Sequence, residues 1–280
     1  MTVFETPQPI AATVDVGLVY VNVVASDRAD TVVEVTPTNP KKAKDVTFAE
    51  NTQVTYNHGK LLIRGPKMRS FLTRDGSVDV TIEVPTGSSL TVDAGLGYVQ
   101  AEGQLGDCEI STGAGQVVVD HVATFKVKNS TGTIRAHTVD GHADVNTAAS
   151  TIRLGHVGGE ANIKNSTGST TLGDVGGAIL VRAASGEVTV DRAELDVTVK
   201  TATGSIRLRE VIRGTVAVEA ASGEVEIGVR RGSVAWLDLK SVAGRVRNSM
   251  AQNAAAPEAG EEKVEVRARL VAGDIHIHHA

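Results

Sequence analysis

The 280-residue chain carries a net charge of −5 and is 41% apolar but only 3% aromatic, which disfavours a general nucleic-acid binder and suits a narrow core of Val, Ile and Ala. No segment approaches the roughly 20 consecutive apolar residues of a membrane span, and the opening Met1-Thr2-Val3-Phe4-Glu5-Thr6-Pro7 has neither the basic nor the apolar region of a secretory signal. With a single cysteine there is no intrachain disulfide framework, and a cytoplasmic location is the simplest expectation.

Residues 1–88 hold strand-like segments at Val14 to Val24, Thr31 to Thr36, Gln53 to Tyr56, Leu61 to Arg64 and Val78 to Val84, with no shared phase. Open solenoid ends expose unpaired strand edges and core, so this region is expected to form a first coil plus an N-terminal β cap.

From 89 to 280 the chain keeps a beat. Gly132, Ser150, Gly168, Gly186 and Gly204 fall eighteen residues apart, and apolar columns run in phase with them. One column holds Leu90, Cys108, Phe125, Ala143, Ala161, Ile179, Val197, Val216 and Leu237; its companion, two residues on, holds Val92, Ile110, Val127, Val145, Ile163, Val181, Val199, Val218 and Leu239. Residues two apart on a strand share a face, so both columns point inward. Across the glycine corner, Val99, Val117, Ile134, Ile152, Thr170, Val188, Ile206, Val225, Val246 and Ile275 form a third. A fourth ends in Ile227, Asn248 and Ile277, with Asn248 as the odd member. Val122, Val139, Val157, Val175 and Val211 fill the connecting side.

This pattern predicts an all-β fold, a single-stranded right-handed parallel β-helix with coils of about 18 residues. A sandwich of hairpins would need recurrent Asn-Gly or Asp-Gly turns, and Asp75-Gly76 and Asp140-Gly141 do not recur in phase. At 248–262 the rhythm is interrupted by Ala, Pro, Gly and Glu, and a flexible loop is expected there. The last coil, ending Gly273-Asp274-Ile275-His276-Ile277-His278-His279, has no evident cap, so self-assembly through it is one functional alternative.

The Val-rich coils with Ser/Thr-Gly corners, the segment Ala25-Ser26-Asp27-Arg28-Ala29-Asp30-Thr31-Val32-Val33-Glu34-Val35, and Ala235-Trp236-Leu237-Asp238-Leu239 followed by Gly244-Arg245-Val246-Arg247-Asn248 resemble the bacterial putative-adhesin family of β-strand repeats, a domain of unknown function. Val3-Phe4-Glu5-Thr6-Pro7 resembles its actinobacterial members. The resemblance implies a β-solenoid without a catalytic motif to carry over, surface attachment by fold analogy, and a link to envelope stress through related repeats.

Outward positions supply the candidate site. Lys128, Asn146, Lys164, Arg182, Lys200, Glu219 and Lys240 share one phase, and Arg135, Arg153, Arg207 and Arg247 share another. Stacked like charges repel, a cost that an acidic protein or an anionic polymer contacting Lys128, Lys164, Arg182, Lys200 and Lys240 would offset. The expected function is therefore a non-enzymatic scaffold engaged in protein binding.

His276, His278 and His279 are the candidate metal ligands, although their spacing dictates no further ligand. A carbohydrate-active β-helix enzyme is the other alternative. It would need two carboxylates on a groove, with Asp174 and Asp191 as diagonal neighbours and Glu194 and Asp196 on one face. Cys108 occupies an inward column, as a structural thiol would, and no cofactor motif is present.

Overall fold

A computed structural model describes residues 1–66, 76–250 and 262–280 of the chain. The loop expected over 248–262 lies outside these residues except at its two ends. The chain divides into two compact units, Met1–Thr138 and Val139–Ala280.

The first unit contains β1 (Thr2–Glu5), β2 (Ala11–Asp15), β3 (Leu18–Ser26), β4 (Asp30–Pro37), α1 (Ala43–Glu50), β5 (Gln53–Asn57), β6 (Lys60–Arg64), β7 (Val78–Pro85) and β8 (Ser89–Val139). The coil made by β2 and β3 lies between two others. β2 pairs in parallel with β6 and β8, and β3 with β7 and β8. Antiparallel strands then close the outer side, β5 on β6, β4 on β7 and β1 on β4. This is the N-terminal β cap, and its strands occupy the edges that a bare coil would leave unpaired. α1 buries Phe48 and Asp45, whose carboxylate accepts hydrogen bonds from the Ser77 backbone N–H at 3.1 Å and from Lys42 Nζ at 3.0 Å.

The second unit contains β9 (Ala143–Val157), β10 (Ala161–Thr167), β11 (Thr170–Val175), β12 (Ile179–Ser185), β13 (Val188–Ala193), β14 (Val197–Thr203), β15 (Ile206–Val211), β16 (Gly214–Ser222), β17 (Val225–Val229), β18 (Val234–Ala243), β19 (Val246–Asn248), β20 (Lys263–Ala272) and β21 (Ile275–His279). Among the described residues the strand pairings of this unit are parallel, and the predicted columns are the observed register: Ala143, Ala161, Ile179, Val197 and Val216 stand opposite one another, as do Ile152, Thr170, Val188, Ile206 and Val225. The apolar members of these columns are buried. Ala193 fills the one gap in the valine column, between Val175 and Val211.

Two polar devices fix the corners. Asn165, fully buried, donates from Nδ2 to the Ser150 carbonyl at 2.9 Å and accepts from Thr147 Oγ1 at 2.8 Å, tying two coils together. The corner glycines bring successive coils into near contact. A Cβ at Gly186 would lie 2.0 Å from the Gly168 carbonyl oxygen, and one at Gly204 would lie 1.9 Å from that of Gly186; their φ values are +130° and +141°. Sterics and dihedral together therefore exclude a side chain there.

The C-terminal coil departs from the expectation. β20 and β21 do not form the open end. β20 lies between β16 and β18, and β21 between β17 and β19, so residues 263–279 sit inside the stack and 234–248 form its last layer. The reason is chemical. Inward positions of β20 and β21 are Val264, Val266, Ala268, Leu270, Ile275 and Ile277, whereas β19 sets Asn248 opposite Ile277. Burying a primary amide without partners costs several kcal/mol at worst, on the order of 1–3 by mutational measure. At the end of the stack Asn248 is exposed.

Gly186→Ala is expected to destabilise the protein by at least about 2 kcal/mol. Ser150→Ala, on the same beat but removing a buried hydroxyl that has no hydrogen-bond partner among the described residues, should change stability by less than about 1 kcal/mol. Urea midpoints of the two variants against wild type give the comparison.

Candidate functional site

Strand pairing builds the basic column one coil at a time. In the second unit Asn146, Lys164, Arg182, Lys200, Glu219, Arg269 and Lys240 stand opposite one another in that order. Lys164, Arg182, Lys200 and Lys240 are all exposed, since each follows by one residue an inward Ile, Val or Leu. Lys128 belongs to the first unit, where it is exposed on β8.

Arg269 is a member that the sequence columns lack. It belongs to the coil that inserts between β16 and β18, and its signal was the alternation Val264, Val266, Ala268, Leu270 around it.

Local carboxylates neutralise only part of this column. Lys200 Nζ lies 2.9 Å from Glu219, and Arg269 pairs with Asp238. Among the described residues Lys164, Arg182 and Lys240 have no ion-pair partner. Two residues on from Arg182, Lys200 and Glu219 come Ala184, Ala202 and Ala221, all exposed. The small side chains of Ala202 and Ala221 leave a shallow depression of about 550 Å³ lined also by Arg182, Lys200, Glu219 and Arg269. The surface thus offers guanidinium and ammonium donors in a row beside a low apolar floor. That arrangement can receive carboxylate, sulfate or phosphate groups repeated along an extended ligand.

The second basic phase is a different surface. Its column in the second unit reads Arg153, Thr171, Thr189, Arg207, Glu226, His276 and Arg247, so two threonines separate the first pair of arginines. Arg207 is held by Glu226 at 2.9 Å and Glu187 at 3.1 Å. The hydrogen bond from Arg207 keeps the Glu226 carboxyl below the usual range against the opposing effect of partial burial. Arg135 lies in the first unit.

The three C-terminal histidines do not converge. The rings of His276 and His278 share a face with centroids 5.3 Å apart, but His276 Nε2 contacts Ser249 Oγ at 3.1 Å and His278 Nε2 contacts Glu226 at 3.2 Å. His279 points to the opposite face. Among the described residues no group of three or more His, Cys, Asp or Glu is placed to hold a metal ion.

Three of the four carboxylates weighed for glycoside chemistry, Asp191, Glu194 and Asp196, are also engaged. Asp174 stands in register between His156 and Arg192, and Asp191 pairs with Arg209 at 3.2 Å. Glu194 lies 3.7 Å from Arg192, while Asp196 accepts a hydrogen bond from the Thr215 backbone N–H at 2.7 Å. Among the described residues no helix is long and apolar enough to cross a membrane.

Comparison with known proteins adds a family. The model described as Toastrack DUF4097 matches residues 12–279. Three solved structures match over nearly the whole chain. A putative cell adhesion protein from Clostridium sporogenes ATCC 15579 is 10% identical, covering 100% of this chain and 98% of its own, with a TM-score of 0.26. A putative adhesin from Parabacteroides distasonis ATCC 8503 is 14% identical, covering 98% and 95%, with a TM-score of 0.33. A putative adhesin from Bacteroides fragilis NCTC 9343 is 12% identical, covering 99% and 95%, with a TM-score of 0.39. No protein with a curated description matches the chain.

Cys108 is buried in the inward column, and burial pushes its thiol up to about 12. At mildly alkaline pH the folded protein should therefore resist iodoacetamide, and the urea-unfolded chain should be alkylated fully. Mass spectrometry of both reactions checks this, and rapid labelling of the folded protein would contradict a core position.

Proposed function

We propose, for a chain that belongs to the Toastrack DUF4097 family, that it works as a non-enzymatic binding scaffold of the adhesin type whose basic column receives an acidic partner. The observation that carries this reading is the run Lys164, Arg182, Lys200 on three successive coils. Neighbouring parallel strands lie about 4.8 Å apart, so these like charges oppose the stacking that the core drives. Only Lys200 of the three has a carboxylate at hand among the described residues. A partner carrying negative charge at the coil repeat would relieve that repulsion and gain register from it.

The chemistry of the rest of the surface supports the same choice. Arg207 and Arg209 are each matched by acidic neighbours within 3.2 Å, whereas Lys164 and Arg182 stand on adjacent coils with no ion-pair partner among the described residues, on a chain of net charge −5. Lys128, exposed in the same sequence phase, and Lys240 extend the set of proposed contacts. A cytoplasmic setting belongs to this reading and rests on the sequence alone.

A pull-down from the native cell, membrane fraction included, compares wild type with Lys164→Glu, Arg182→Glu and Lys200→Glu combined. Wild type is expected to retain an acidic partner that the triple variant loses, with binding weakening as salt is raised. Equal recovery by both proteins would reduce the column to solvated surface.

A further inference from the structure

The last layer of the second unit ends in a strand with one neighbour. β18 pairs with β20, and among the described residues nothing pairs with its other edge. Its inward Leu237 and Leu239, which would be buried in any interior coil, are half-buried, and its outward Trp236 and Val242 are 57% and 72% exposed. A long edge strand of this kind is a template for another strand.

The order of residues along this edge names the strand it fits. From Trp236 to Val242 the outward face reads Trp236, Asp238, Lys240, Val242, and the inward face between them reads Leu237, Leu239, Ser241. We propose that a second copy of this chain pairs with β18 antiparallel, about a two-fold axis through Leu239. That axis sets Trp236 opposite Val242 and Asp238 opposite Lys240, each pair occurring twice, with Leu239 facing its own counterpart and Ala235 facing Ala243. Cross-strand pairs of opposite charge and of aromatic with β-branched residues are the ones that stabilise antiparallel sheets.

Charge also selects the register. Moving the axis to Asp238 would place the two Asp238 carboxylates directly opposite each other and set Trp236 against Lys240. Moving it to Lys240 would oppose the two Lys240 ammonium groups and set Asp238 against Val242. Only the axis through Leu239 pairs unlike charges and buries both exposed apolar side chains together.

Asp238 already meets Arg269 of its own coil, and Arg267 lies over the Trp236 ring with its Cζ 6.0 Å from the centroid. The edge is therefore held in a defined conformation before association. The contact is isologous, so it closes at two copies. Lys240 is drawn into this interface, whereas Lys164, Arg182 and Lys200 lie on coils further along the stack and stay available to an acidic partner.

Sedimentation velocity on the full chain over about a hundredfold range of concentration should show a monomer–dimer equilibrium that stops at two copies. Lys240→Glu should weaken it at least about tenfold, because Asp238 would then face Glu at that position. Mixing the Lys240→Glu protein with an Asp238→Lys protein should restore dimers, now mixed, since every opposed pair again has unlike charges. Mild oxidation should trap Leu239→Cys as a covalent dimer and leave Ser241→Cys monomeric, with Cys108 too deeply buried to take part. A monomer at every concentration would overturn the proposal. So would open-ended polymers, a dimer indifferent to Lys240→Glu, or trapping through Ser241→Cys in place of Leu239→Cys. Circular dichroism of each variant separates lost pairing from lost folding.

Discussion

The spacing of successive coils at the glycine corner is the constraint from which the rest of the second unit follows. Parallel strands about 4.8 Å apart leave room for a backbone carbonyl and nothing more where the chain turns. At Gly186 and Gly204 the carbonyl of the preceding coil occupies the place of a Cβ, at 2.0 and 1.9 Å. Once the corners are pinned in this way, each strand has no freedom to slip, and residues one coil apart, eighteen positions through the central coils, must stand opposite one another. The inward columns of Val, Ile and Leu, the buried Asn165 tie and the outward charge columns are all consequences of that lock.

The lock has a cost on the outside. It stacks outward side chains as rigidly as inward ones, so a basic residue repeated at the coil period becomes a row of like charges. The molecule answers differently on its two outward phases. Around Arg207 the row is broken by threonines and matched by Glu187 and Glu226. Along Lys164, Arg182 and Lys200 only the last is matched. The row left unmatched at Lys164 and Arg182 is the one to which the proposal assigns an acidic partner.

Stacked coils must also end. In the first unit the outer coil is covered by antiparallel strands β4 and β5, with β1 beyond β4. In the second the outer coil is β18 and β19, and no strand among the described residues covers it. Chain order and spatial order differ in both units, since β2 and β3 lie inside β6 and β7, and β20 and β21 lie inside β18 and β19. An interior place demands that an inward polar group find a partner, as Asn165 does with Ser150 and Thr147, and the segment carrying Asn248 in the apolar column of Ile227 and Ile277 is left for the end.

The sequence by itself determined the fold class, the coil length and the register of the central coils, because a side chain alternating at period two and a glycine at period eighteen each reflect a purely local requirement of the backbone. Lys164, Arg182 and Lys200 fall in one column for the same reason. The order of the last two coils was decided only in three dimensions. Leu239 and Ala268 occupy the same phase, and phase alone carries no information about which coil is outermost. The hint lay in Asn248, an amide in an otherwise apolar column, but its meaning depends on comparing what burial would cost there with what it costs at Ile277. That comparison placed Arg269 in the basic column and left Trp236 and Val242 on an open edge, because the energy of a solenoid core is settled between layers and not within a single strand.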